Sequence, residues 1–213
     1  MIHIVTAENR RLYAKELREH HRLRYDIYVR ENKWKNLQVE DGRESDQFDN
    51  DDAVYILAIE DGQLVGGSRF MPTVKPHLLS EVFPQLADVR GVPRSPDVFE
   101  WTRLFAVAER RDRKGFDGRV TGQVLCGGLE FLLGEEATGF TIVTEAYWLA
   151  RTHGWGWKLS PLGMPALVDG EWLVASYIPV DFETLQATRR RYGIQESVIV
   201  RNGITRPAIR HVA

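Results

Sequence analysis

The spacing of apolar positions divides the chain into short, well-marked elements. Ile2, Ile4 and Val5 open a first strand, and Leu12, Leu17, Leu23, Ile27 and Tyr28 fall near one helical stripe. Residues 8–31 therefore read as one or two helices, with Thr6 placed to cap the first. Residues 54–60 form an apolar strand, Asp61-Gly62 a hairpin turn, and residues 63–71 the returning strand. Gly66-Gly67 inside that return marks a bulge or a close backbone approach. A short helix over 77–85 stops near Phe83-Pro84. Residues 97–108, rich in aromatic and β-branched side chains, form a central strand. An amphipathic helix follows over 119–134, then a strand over 140–144, a short helix over 146–152, and strands over 155–159 and 171–178. Asp181 is placed to cap a last helix, which Gly193 ends. The polar residues from about 190 to 213 read as a fraying extension.

Strands with an early hairpin and helices before and after them define an α+β chain. The expected architecture is a three-layer α/β/α sandwich around a mostly antiparallel twisted sheet, the outline of an N-acetyltransferase-like fold. Its 213 residues, 43% hydrophobic and 27% charged, suit one domain over 1–213. A net charge of -2 gives no long-range pull on nucleic acid. No apolar run approaches the ~18 residues that cross a bilayer, and Met1–Val5 lacks the basic lead of a signal peptide. A single cysteine, Cys126, excludes an intramolecular disulfide and suits the cytoplasm. It lies beside Gly127 and Gly128 in a helical pattern, where packing is its expected role. No metal site is expected, since His20 and His21 are adjacent on a helix and cannot grip one ion from one face.

Charge is unevenly placed. Residues 10–35 hold nine Lys and Arg against four Asp and Glu, while residues 40–52 hold seven acids against Arg43 alone. The two blocks either neutralise each other or form two solvated faces. Most informative is Phe99-Glu100-Trp101-Thr102-Arg103-Leu104-Phe105-Ala106-Val107, because an interior strand rarely carries a Glu and an Arg. Strict alternation sends Glu100 and Arg103 to opposite faces, with Phe99, Trp101 and Phe105 on the side of Arg103. If both charges serve one pocket, the strand must slip by a residue between them, so the pattern predicts a β-bulge there. Otherwise this is an edge strand with one charge on each side. Arg69 is a second candidate buried charge. The basic, Gly-punctuated loop 109–118 before the helix at 119 is a candidate anion site.

With these residues in place, the chain resembles the acyl-homoserine lactone (autoinducer) synthase family over residues 1 to about 180. The resemblance is carried by Arg24, Trp34, Asp46 and Asp49 in Glu44-Ser45-Asp46-Gln47-Phe48-Asp49, Arg69, Phe83, Glu100 and Arg103. One departure is Tyr28, where the family usually has Phe; a phenol there implies a wetter pocket wall. The resemblance implies that the α-amine of S-adenosylmethionine attacks an acyl thioester, and that the product closes to a lactone with release of methylthioadenosine. Both are substrates, and no cofactor is implied. Glu100 beside Arg103 is then the base, acting directly or through water. Backbone donors around 104–107 would meet the developing oxyanion. Asp46 and Asp49 suit the cationic substrate, Arg24, Arg69 and Arg103 would pair with these acids, and Tyr28, Trp34 and Phe83 would line the site.

In the same family the acyl chain lies between the sheet and the helices over 119–134 and 146–152. The lining residues implied here are Phe105, Leu125, Leu129, Thr141, Val143, Thr144, Tyr147 and Trp148. Two large rings at Tyr147 and Trp148 favour a flat or branched acyl group, as in the family members that take aryl- or branched-acyl-CoA. Acyl carrier protein is the other donor, and Arg110, Arg111, Arg113, Lys114, Arg151 and Lys158 suit either. A general N-acetyltransferase of the same fold is the competing reading. Its pyrophosphate loop is matched only loosely by Arg113-Lys114-Gly115-Phe116-Asp117-Gly118, and it leaves the charged N-terminal residues unexplained. A non-catalytic ligand sensor would not need Glu100.

Overall fold

The computed structural model describes residues 1–111 and 118–200. One large sheet runs in the order β11-β1-β4-β5-β6-β7-β10-β8, formed by Ile199–Val200, Ile2–Val5, Val54–Glu60, Gln63–Pro72, Val98–Ala106, Gly139–Glu145, Glu171–Pro179 and Ser160–Pro161. β9 (Ala166–Val168) pairs with β10 at its edge. All pairings in this sheet are antiparallel except β1 with β11 and β6 with β7. The β6–β7 ladder covers only Val98–Glu100 against Gly139–Thr141, and past that rung the two strands no longer pair.

Helices cover both faces, as expected of a three-layer sandwich. Side chains alternate along each strand, so Ile4, Ile56, Phe70 and Phe99 pack with α3 (Arg119–Gly134) and α5 (Phe182–Tyr192). Val5, Tyr55, Leu57 and Met71 face the other way, against α1 (Ala14–Arg24) and the π-helical turn Tyr25–Glu31. A small hairpin of β2 (Val39–Glu40) and β3 (Arg43–Glu44) stands beside α1, and α2 is the single turn Leu78–Glu81. α3 lies close because it carries glycines: a Cβ on Gly128 would sit 2.5 Å from the Trp101 ring.

Several expectations are met residue by residue. The hairpin turn is Asp61-Gly62, both at positive φ. Gly66 and Gly67 adjoin a register slip and also approach neighbours closely, since added Cβ atoms would lie 2.7 Å from Val120 and 2.9 Å from His20. Asp181 caps α5 by accepting from the Thr184 N–H at 2.7 Å, and Gly193 ends it at φ 65°. Two expectations change. Residues 155–159 are not a strand: they follow α4 (Trp148–Gly154), where Gly156 at φ 83° turns the backbone and Trp155 and Trp157 bury their rings in the core. Their apolar pattern records burial rather than a ladder. Nor do residues 199 and 200 fray, because Ile199 pairs with Ile2 and Val200 with His3.

Candidate active site

The expected slip in the central strand is present. Gly67 pairs with Phe105 but Arg69 pairs with Thr102, so one extra residue is accommodated in β6. Arg103 takes up the slip at φ 56°, a conformation that costs a non-Gly residue on the order of 1–3 kcal/mol and persists only when the surroundings hold it. The bulge turns Arg103 onto the face already occupied by Glu100, Thr102 and Arg69.

That face carries a closed ring of six alternating charges. Arg24, the last residue of α1, meets Glu44 through Nε at 2.5 Å and Asp49 through Nη1 at 2.7 Å. Arg103 reaches Glu44 and Asp46, each at 2.9 Å. Arg69 joins Asp46 at 2.6 Å and Asp49 at 2.8 Å. The three arginines and Glu44 are buried, Asp49 nearly so, and Asp46 retains 17% exposure of its side chain. The loop that brings the acids here is built locally: Asp46 accepts from the Phe48 N–H, and Asp49 accepts from the Asp46 N–H. The Tyr55 hydroxyl also donates to Asp49. Burial opposes ionisation of Asp49 and Glu44, yet the facing guanidiniums win and hold both carboxyls below the usual range. The ring is neutral as a whole, and it ties the N-terminal third to the sheet.

Glu100 stands apart from this ring. It is fully buried, and its two oxygens accept from the Leu78 and Leu79 N–H groups at 2.8 and 2.6 Å. Burial pushes its carboxyl up to about 7, with those two N–H groups pulling the other way. Each oxygen keeps lone-pair capacity for a proton.

The remaining site residues distribute as follows. Tyr28 is buried in the π-helical turn, and Trp34, 41% exposed, stacks on it with ring centroids 4.6 Å apart. The Tyr28 hydroxyl does not wet a pocket wall as expected; it donates to the Leu104 carbonyl at 2.9 Å, beside the bulge. Phe83 packs beneath β10 with Leu79, Leu86 and Leu162. Leu125, Leu129 and Trp148 share the α3-side core, whereas Val143 belongs to the Phe83 cluster and Thr141 is fully buried, its hydroxyl without a partner among the described residues. Thr144 is half-buried. Phe105 is set apart from Leu125 and Leu129, because the bulge that turns Arg103 also turns Phe105 onto the α1 face, where its ring lies 5.1 Å from His20. Tyr147 does not fill a pocket either: it is 60% exposed, with the Arg151 guanidinium over its ring. Of the basic residues proposed for donor docking, Arg110 pairs with Glu60, Arg111 with Glu31 and Lys158 with Glu183. Arg113, Lys114 and the loose pyrophosphate-loop match fall on 112–117, outside the described residues. The site member missed in the sequence is Glu44. It was visible only as one more acid in a run of seven, although its spacing to Asp46 and Asp49 could have marked it. Cys126 is a packing residue, its thiol pushed up to about 12 by burial.

The sheet is split beyond Glu100, and that buried carboxyl stands beside the split. The profile of the autoinducer synthase family matches residues 8–188, and the chain belongs to that family. It is 42% identical over 203 residues to the isovaleryl-homoserine lactone synthase of Bradyrhizobium diazoefficiens, covering 95% of this chain and 90% of the relative. The acyl-homoserine-lactone synthase of Acinetobacter nosocomialis is 30% identical over 74% of this chain and 88% of its own length. Among solved structures, the CoA-dependent acyl-homoserine lactone synthase BjaI, bound to SAM and isopentyl-CoA, superposes with a TM-score of 0.91 at 41% identity, over 98% of this chain and 96% of that one. At 15% identity, Escherichia coli ElaA shares the fold alone, with a TM-score of 0.56 over 83% of this chain and 98% of its own. The family match decides for the synthase over a general N-acetyltransferase.

Proposed function

We propose that this protein is an N-acyl-L-homoserine lactone synthase that takes a branched or aryl acyl group from coenzyme A. The amine nitrogen of S-adenosylmethionine attacks the thioester carbonyl, the C–S bond breaks, and coenzyme A leaves as its thiol. The substrate's carboxylate then displaces methylthioadenosine from its own side chain, closing the lactone. No resident cofactor or metal takes part, and neither nucleic acid nor membrane is a partner. We assign the reaction to the cytoplasm, where both substrates are made.

Glu100 takes the proton of the attacking amine. The observation that carries this reading is a carboxyl fully enclosed at the sheet split on two backbone N–H groups; burial pushes it up to about 7, which suits accepting a proton near neutral pH. Asp46 and Asp49 spend their charge on arginines, so the ring is better suited to hold the N-terminal segment over the substrate than to grip a sulfonium itself. The CoA preference follows the 41% identity to the CoA-dependent synthase BjaI, and the branched acyl group the 42% identity to an isovaleryl-homoserine lactone synthase. Mass spectrometry of extracts from cells expressing the chain tests the product, and a branched acyl-homoserine lactone is the expected result. Rates with one acyl group on coenzyme A and on acyl carrier protein test the donor; faster turnover on the carrier protein would reverse the preference.

A further inference from the structure

We propose that Tyr28 and Arg111 are positioning residues that convert the open edge of β6 into a row of hydrogen-bond donors facing the acyl thioester. This deepens the synthase reading and rests on it. Beyond Glu100 the β6 edge has no ladder with β7. On the other side, Phe105 pairs with Gly67, and the Val107 N–H donates to the Val65 carbonyl. Alternation therefore turns the N–H and C=O groups of Leu104 and Ala106 toward the split.

A bare strand edge presents donors and acceptors together. Here both acceptors are taken by side chains. The Tyr28 hydroxyl donates to the Leu104 carbonyl at 2.9 Å, and Arg111 Nε donates to the Ala106 carbonyl at 2.6 Å. Both caps are anchored in one element: Tyr28 lies in the π-helical turn, and Arg111 pairs with Glu31 at the end of that turn. The N–H groups of Leu104 and Ala106 remain on that edge, and among the described residues Arg111 Nη2 is buried without a partner.

The chemistry gives the arrangement a purpose. As the amine adds to the thioester, negative charge collects on the carbonyl oxygen. Uncapped carbonyl oxygens on the same edge would repel it, whereas N–H donors stabilise it. Burial raises the Tyr28 phenol above its ordinary value, so it stays protonated and donating. The ring alone would suffice to stack on Trp34; only the hydroxyl serves the carbonyl.

Single-turnover release of the CoA thiol, at saturating S-adenosylmethionine and a branched acyl-CoA, tests the inference. Tyr28→Phe should slow release roughly tenfold, less than the loss of an oxyanion donor itself, with KM for S-adenosylmethionine and the melting temperature nearly unchanged. Arg111→Met should slow it likewise, and Arg111→Lys, which can still donate to Ala106, should recover most of the rate. Wild-type release by Tyr28→Phe would overturn the inference, as would a defect confined to KM or to melting temperature, or no recovery by lysine. If the wild-type protein releases no thiol at all, the synthase reading falls with it.

Discussion

Glu100 and the ring acids respond to burial in opposite directions, and the difference assigns their tasks. Asp49 and Glu44 face guanidiniums, which outweigh desolvation. Glu100 meets two backbone N–H groups and, more weakly, the charges of Arg69 and Arg103, and desolvation dominates. A base works when deprotonated, so the acylation rate should rise with pH and reach half its maximum near pH 7, as a pH profile of thiol release would report. Glu100→Gln should leave a folded protein with acylation lowered ~10²-fold or more, the scale of losing a general base. Near-wild-type release by that variant would assign the proton transfer elsewhere. Single residues also mark the limit of what the sequence revealed. A lone Glu and Arg in an apolar strand announce themselves, because nothing else explains their charge there. Glu44 sits among acids that are mostly solvated, and composition cannot tell which one of a run is buried.

At the scale of elements, the bulge in β6 decides which side chains share a face. The charges at 100 and 103 foretold it, yet its consequence reached further: a one-residue slip reverses every later position, and Phe105 went with Arg103. The strand expected over 155–159 failed for another reason, since Trp157 packed against Trp101 and Phe140, with Trp155 edge-on to it, gives the same apolar run as a strand. The β2–β3 hairpin matters through Glu44 at its end. Glu44→Gln would leave Arg24 and Arg103 buried and underpaired, and should lower stability by roughly 3–5 kcal/mol in urea unfolding. In α3, Gly128→Val would drive a branched side chain into the Trp101 ring and should cost about 1–3 kcal/mol by the same measurement.

Across the whole molecule, the same shifts set the pH dependence of folding. Asp49 and Glu44 have depressed folded values, so their contribution is complete above the ordinary carboxylate range and is lost as pH falls through those lower values. Glu100 has a raised value; its contribution is complete below 4.5 and is lost as pH rises through about 7. The stability of the wild type relative to Glu100→Gln should therefore decline between pH 4.5 and 7, as paired melting curves would report. A rising difference would contradict the burial of this carboxyl.

The ring around Arg24, Arg69 and Arg103 has one further consequence, for how the gene can drift. A hexagon of alternating sign has no terminal member, so every residue in it answers to at least two others. No single exchange keeps both neighbours satisfied, and even a paired swap of one arginine with one acid leaves like charges abutting on either flank. Variants that survive at these six codons should carry compensating changes around the whole circuit.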